Sequence, residues 1–169
     1  SKGQTVVTLL DNSADAVFLW LAINKLGAIS VPVNTALKGD FLRHQVSDAD
    51  ATIVIAESDY AERVTAIADK LPTLQTLVYR NERPAVELPG EQRMLPWSEI
   101  LSSDTSDQSV DVAPSDLAML IYTGGTTGPS KGCMISHNYA CSLARQMLII
   151  TNRNEETITW TALPLFHFN

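Results

Sequence analysis

Cysteine is nearly absent from this 169-residue sequence: Cys133 and Cys141 are the whole complement. Two thiols exclude a disulfide framework, and no Cys/His spacing matches a zinc site, so a reduced, cytoplasmic setting is expected. Long apolar runs are missing as well. The longest, Ala16–Ile23, falls far short of the roughly 20 residues that span a bilayer. Near the start only Val6–Leu10 stands between polar residues, so no secretory signal is expected, although the sequence opens on Ser1 rather than Met. Basic residues are scarce: 12 Lys+Arg face 19 Asp+Glu, a formal net charge of −7. Nucleic acid requires a basic stripe to meet its phosphates and is therefore not an expected partner. Apolar residues, by contrast, are plentiful. With 45% hydrophobic and 18% charged residues the chain can fill a packed core, and disorder over most of it is excluded.

β-branched apolar runs alternate with helical patterns, the signature of a layered, parallel-sheet α/β fold. Thr5–Leu10, Ile29–Val33, Ala51–Ala56 and Thr76–Tyr79 read as strands. Between them, Ala14–Lys25 reads as a helix capped by Asn12 or Ser13 and closed near Gly27. Its Val17, Phe18, Leu19, Trp20, Leu21 and Ile23 are apolar all round, which predicts burial between layers. Gly39–Ser47 is expected to be a short helix with Phe41, Leu42 and Val46 on one side. A third helix, capped by Ser58 or Asp59 and ended by Pro72, places Tyr60, Val64, Ile67 and Leu71 on one face. These units occupy residues 1–80. Residues 81–116 carry Pro84, Pro89, Pro96 and Pro114, and Ser102–Pro114 is rich in Ser and Asp. They read as a surface connection with one apolar anchor at Trp97–Leu101. Order is expected to resume over 117–169, with a central strand Leu117–Tyr122 and a short apolar stretch Cys133–Ile135. A helix capped by Ser136 follows from His137 to about Ile150, with Ala140, Leu143, Ala144 and Met147 inward, and then a last strand Thr157–Leu163.

The chemistry is concentrated in Tyr122–Gly132, which reads Y-T-G-G-T-T-G-P-S-K-G. Gly124, Gly125 and Gly128 let backbone N–H groups approach a ligand closely. Thr123, Thr126 and Thr127 add hydroxyls, and Lys131 adds a cation with no carboxylate beside it in sequence. Successive N–H groups, hydroxyls and an ammonium make a cradle for a polyanion such as a nucleotide triphosphate. The alternative is a hairpin between two strands with no ligand. The segment is not a Walker A loop, because Lys131 follows Ser130 and precedes Gly132; nor is it the dinucleotide G-x-G-x-x-G.

Tyr122–Gly132 resembles the phosphate-binding signature of the adenylate-forming superfamily, which includes acyl-CoA synthetases, nonribosomal-peptide adenylation domains and beetle luciferases. Trp20–Asn34 is similar to that family's early helix–turn–strand segment, and Leu163–Asn169, L-P-L-F-H-F-N, resembles the segment lining its acyl pocket. The likeness departs at two points: serine is usual at the position of Gly124, and proline usually sits directly before the lysine, where this chain has Ser130. The resemblance implies that Thr123, Gly124, Gly125, Thr126, Thr127, Gly128 and Lys131 hold the β- and γ-phosphates of ATP. It implies that the Thr123 hydroxyl lies near Mg²⁺, and that His167 contacts the acyl substrate. The alternative for His167 is a histidine packed at the edge of Phe166 and Phe168.

The resemblance implies an ATP-dependent carboxylate–CoA ligase, as in fatty acid metabolism, with a carboxylic acid, ATP and CoA as its small-molecule partners. An acyl-AMP forms first and a CoA thioester second. Residues 1–169 would be an incomplete N-terminal AMP-binding domain that holds no catalytic residue of its own and binds ATP weakly or not at all alone. Two other readings stand beside it: an adenylation domain that loads a carrier-protein thiol, and a non-catalytic binding module of the same fold. Other residues carry plainer expectations. His137 opens the helix capped by Ser136, with a phosphate contact as its alternative. His44 is expected to be solvated, Cys133 and Cys141 to be small buried thiols, and Asp48, Asp50, Asp104, Asp107 and Asp111 to be solvated turn acids.

Overall fold

The computed structural model describes residues 1–85, 87–104, 106, 108, 110–124 and 128–167. Among them a sheet of seven strands forms: β1 Thr5–Leu9, β2 Ile29–Pro32, β3 Ile53–Glu57, β4 Thr76–Arg80, β5 Arg93–Pro96, β6 Leu117–Thr123 and β7 Lys131–Ser136. Their order is β5-β4-β3-β1-β2-β6-β7, and every pairing is parallel except β6 with β7. The expected α/β architecture is thus present. The first strands read as near-continuous apolar runs because both faces are covered, as parallel sheets require.

Alternation along β1 divides the core in two. Val7 and Leu9 point to one face, where Leu42 and Val46 of helix α2 (Gly39–Asp48) and Val64 of helix α3 (Ser58–Thr65) close over them. Val6 points to the other face and meets Ile23 of helix α1 (Ala14–Lys25), with Trp97 packed alongside. Both ends of α1 are written in sequence. The Ser13 hydroxyl accepts from the Ala16 N–H at the start. At the end, Gly27 takes φ +66 while its N–H and that of Ala28 return to the carbonyls of Asn24 and Ile23. That is the paired C-terminal closure that favours glycine; a Cβ there would stand 3.0 Å from the Lys2 side chain.

Several expectations are corrected. Helix α1 is not sandwiched: only Ile23 is buried, and Phe18 is 67% exposed. The sheet covers one side of it, and no other described layer covers the second. Phe41 faces outward, 77% exposed, and Gln45 occupies the inner position between Leu42 and Val46. Neither Ser58 nor Asp59 caps α3 with its side chain; the N-cap is Glu57, and the Ser58 hydroxyl donates to the carbonyls of Arg80 and Glu82 instead. The helix stops at Thr65, yet Ile67 and Leu71 remain buried through a following 3₁₀ turn, Ala68–Lys70.

The connection over 81–116 is less plain than its prolines imply. Arg93–Pro96 adds β5 in register to β4, and Pro96 is tolerated there because β5 is an edge strand. Beyond it Trp97 anchors, but Leu101 does not, at 61% exposed. Thr157–Leu163 forms no strand. Its apolar residues satisfy the strand pattern, but a strand exists through its ladder, and no described strand runs beside it. Ile158 and Trp160 are accordingly 97% and 84% exposed. Helix α4 (His137–Thr151) is capped by Ser136 as expected, its hydroxyl accepting from the Tyr139 N–H. It buries no residue, however: Ala140 and Leu143 are half-buried, and Ala144 and Met147 are exposed.

Candidate functional site

Strands β6 and β7 form an antiparallel hairpin whose last pair is Thr123 with Lys131. The Gly/Thr segment is therefore the hairpin's loop, opening at the C-terminal end of β6, the sheet edge where α/β folds place ligands. The hairpin is common to both readings left open by the sequence, with and without a bound ligand. Thr123, Gly124 and Gly128 are exposed at its mouth, and Lys131 is exposed beside them. Gly125, Thr126 and Thr127 lie outside the described residues. A Cβ built on Gly124 meets nothing within 4 Å, so packing would accept the serine that the resemblance has there.

Lys131 forms no ion pair among the described residues. The other strand-borne cation at that sheet edge, Arg80, is fully engaged: its guanidinium lies 3.2 Å from Glu57, 3.6 Å from Asp15 and donates to the Ser13 hydroxyl at 2.9 Å. An ammonium left unpaired in an acidic chain is available to an anion. No group of three or more His, Cys, Asp or Glu side chains among the described residues could hold a metal. The exposed Thr123 hydroxyl suits an ion that keeps mostly water and phosphate oxygens as ligands.

A second feature lies between α1 and the sheet. A cavity of about 180 Å³ is floored by Ser30, Met119 and Ile121, walled by Val17 and Trp20, and roofed by Leu165, Phe166 and His167. Its lining is mainly apolar. The roof is tied down by Asn12, whose side-chain amide donates to the Leu163 carbonyl at 3.0 Å and accepts from the Leu165 N–H at 2.8 Å. The His167 ring lies 4.7 Å from that of Phe166, tilted by 49°, and its backbone N–H donates to the Pro164 carbonyl. His167 thus stands both at an aromatic edge and on a cavity wall; Phe168 lies outside the described residues.

The family described as AMP-binding enzyme matches residues 1–169. The chain belongs to that family. Among AMP-binding relatives it is 28% identical over 173 residues to 4-coumarate–CoA ligase 3 of Arabidopsis thaliana, covering 98% of this chain and 29% of that protein. A long-chain-fatty-acid-CoA ligase of Archaeoglobus fulgidus superposes with a TM-score of 0.81 at 28% identity, over 98% of this chain and 31% of that one. An anthranilate CoA ligase solved with anthranoyl-AMP superposes with a TM-score of 0.74 at 28% identity, over 86% of this chain and 27% of that one. The chain therefore spans about three-tenths of the length of these relatives.

Several residues of this AMP-binding chain escape a sequence reading. His44 is not solvated: its Nε2 donates to the Ser130 carbonyl at 2.8 Å. Next to it, Gln45 donates to the Ser130 hydroxyl at 3.0 Å. Asp48 is not a free turn acid, because its carboxylate accepts from the Tyr122 hydroxyl at 2.7 Å. Burial first, and this carboxylate second, push the Tyr122 phenol well above its usual range, so it remains a donor. The only signal that could have found them is the polar Gln45 on an otherwise apolar helix face. Asp111 lends its carbonyl to Lys2, whose ammonium pairs with Asp116 at 2.8 Å and holds that carboxyl below its usual range. His137 opens α4 as expected, its N–H donating to the Asp116 carbonyl. Cys133 and Cys141 are both exposed rather than buried, since β7 is an edge strand and α4 covers little. Asp107 lies outside the described residues. No described helix is long and apolar enough to cross a membrane.

Proposed function

We propose that the full-length protein is an ATP-dependent ligase joining a carboxylic acid to CoA through an acyl-adenylate, and that residues 1–169 are the front part of its nucleotide-binding domain. The observation that carries this reading is Lys131, without an ion pair among the described residues, at the mouth of the β6–β7 loop, near the C-terminal edge of a parallel sheet, in a chain of the AMP-binding family. The similarity to CoA ligases supports the thiol acceptor.

In the first step a carboxylate oxygen attacks the α-phosphorus, the bond to the bridging oxygen breaks, and pyrophosphate leaves with its electron pair. In the second, a thiolate sulfur attacks the acyl carbon and AMP departs. Phosphoryl transfer of this kind needs positioning and charge neutralisation more than covalent help. Thr123, Gly124, Gly125, Thr126, Thr127, Gly128 and Lys131 would hold the β- and γ-phosphates, by N–H groups, hydroxyls and the ammonium. Magnesium, when bound, neutralises phosphate charge, and the Thr123 hydroxyl is the residue that would help hold it. His167 would touch the acid where the aromatic wall meets the polar reacting end. The mainly apolar cavity favours an aromatic or aliphatic acid over a highly charged one.

Lys131→Ala in the full-length protein tests the reading. Loss of a charge-assisted contact to the leaving group should slow acid-dependent pyrophosphate release by roughly 10- to 100-fold. Unchanged release would remove Lys131 from the phosphate site. A hydroxylamine-trapping screen across aromatic and aliphatic acids would then identify the acid.

A further inference from the structure

The end of the loop that carries Lys131 is held by helix α2. Two consecutive residues of that helix reach one loop residue: the Gln45 side-chain amide donates to the Ser130 hydroxyl, and the His44 Nε2–H donates to the Ser130 carbonyl. A carbonyl can only accept, so the contact fixes the proton on Nε2. A third residue of α2, Asp48, holds the Tyr122 hydroxyl on the other strand of the hairpin, and the His44 ring stands edge-on to Tyr122 at 6.5 Å. Strand β6 and the end of the loop are thereby tied to one helix.

Gln45 is a costly choice for this task on stability grounds alone. It is only 7% exposed, and it sits on the inner face between Leu42 and Val46, where a leucine would pack. Its Oε1 is buried and meets no hydrogen-bond donor among the described residues. A buried polar atom without a partner destabilises the fold, whereas an apolar residue of similar size would not. Among the described residues, the hydrogen bond that this amide makes is the one to Ser130.

We propose that His44 and Gln45 are positioning residues that fix Ser130, and through it the backbone origin of Lys131, so that the ammonium meets the triphosphate without first ordering the loop. The proposal rests on the reading of this loop as the triphosphate site. Preorganisation of this kind is expressed in ATP affinity. Ser130 also stands where the resemblance has proline, so two side-chain bonds take over a restraint that a ring would otherwise supply.

The test uses the full-length protein and four variants: Gln45→Leu, His44→Ala, Ser130→Ala and Lys131→Ala. Gln45→Leu should melt at or above the wild-type temperature while the KM for ATP rises about three- to tenfold, the loss expected for one neutral hydrogen bond. The KM for the acid should change less than about twofold, and His44→Ala should match the ATP effect. Adding Ser130→Ala to Gln45→Leu should cost nothing further, since both remove the same contact. A Gln45→Leu protein with wild-type KM for ATP overturns the proposal while Lys131→Ala remains impaired. If Gln45→Leu melts lower, Ser130→Ala decides, and a wild-type KM for ATP in that variant overturns the proposal. Should Lys131→Ala also leave ATP use untouched, the phosphate reading itself fails.

Discussion

The two halves of this molecule are built to different densities. Residues 1–80 contribute nearly all of the buried core, including Val7, Val31, Leu42, Val54, Val64 and Leu77, none of which exposes measurable surface. Residues 117–167 contribute Ala118 and Met119 as buried apolar residues, and α4 buries nothing. The charges divide in the same way. Arg80, in the packed half, is held by Glu57, Asp15 and Ser13, whereas Lys131, in the open half, has no ion-pair partner among the described residues. The first half is a packed scaffold that engages Arg80 internally, and the second leaves Lys131 exposed.

A matched pair of substitutions is the strongest way to break that comparison. Leu77→Ala, in β4, should lower the stability of the 169-residue chain by about 2–5 kcal/mol, through lost burial plus the cavity left behind. Leu148→Ala removes the same atoms from α4, where the residue is 52% exposed, and should cost less than about 0.5 kcal/mol. Thermal unfolding of both variants reads the difference directly. Equal losses would show that α4 is packed as tightly as the sheet. Repeating Leu148→Ala in the full-length protein measures whatever cover the remaining polypeptide adds.

The packed half is also the half that sequence periodicity describes well. Strands β1 to β4 and helices α1 and α2 fall within about two residues of where apolar pattern, caps and turn residues place them, because local signals and long-range packing agree there. The exceptions have physical causes. Phe41 and Gln45 exchange sides because side-chain period alone cannot see that Ser130 lies 85 residues away. β5 is hidden by its prolines, since a parallel edge strand tolerates residues that a central one rejects. Thr157–Leu163 and the inner face of α4 misled in the opposite direction: their apolar patterns are real, but few described residues cover them. For the candidate site, composition singles out Tyr122–Gly132, and the structure places Thr123 opposite Lys131 at the base of that loop. The helix that holds the loop was not, because a histidine and an aspartate on a polar helix face look the same whether they face water or a loop.

Asn12 joins the two halves, and its removal should produce the intermediate effect. Its side chain is the paired hydrogen-bond link from the end of β1 to the roof of the cavity over 163–167. Asn12→Ala should cost about 1–2 kcal/mol at most, since two exposed neutral hydrogen bonds are lost without a buried orphan. The local consequence is more diagnostic than the global one. The Leu165 amide, which loses its acceptor, should exchange with solvent about tenfold faster, while the Val7 amide in the sheet keeps its protection. Unchanged exchange at Leu165 would mean the roof is held by apolar contact with α1 alone. In the full-length protein the same variant should raise the KM for the acid more than that for ATP, because His167 lies in the released segment.

The smallest effect lies where the packed half accommodates a charge. The Glu57 carboxyl sits at the end of β3, and burial pushes it above the usual carboxylate range, outweighing the opposing pull of Arg80. A carboxyl raised in this way favours the folded state while protonated. That contribution is fully present below its ordinary value of 4.5 and is lost as pH climbs through the raised folded value. Glu57→Gln remains neutral throughout, so the wild type should lose ground to the variant between about pH 4 and about pH 7. The shift should stay under about 1 kcal/mol, because Asp15 and Ser13 still hold Arg80 in the variant. Chemical denaturation at the two pH values checks the sign. If the variant instead falls behind at the higher pH, attraction to Arg80 exceeds the burial cost, and the packed half gains from its ion pair rather than merely accommodating it.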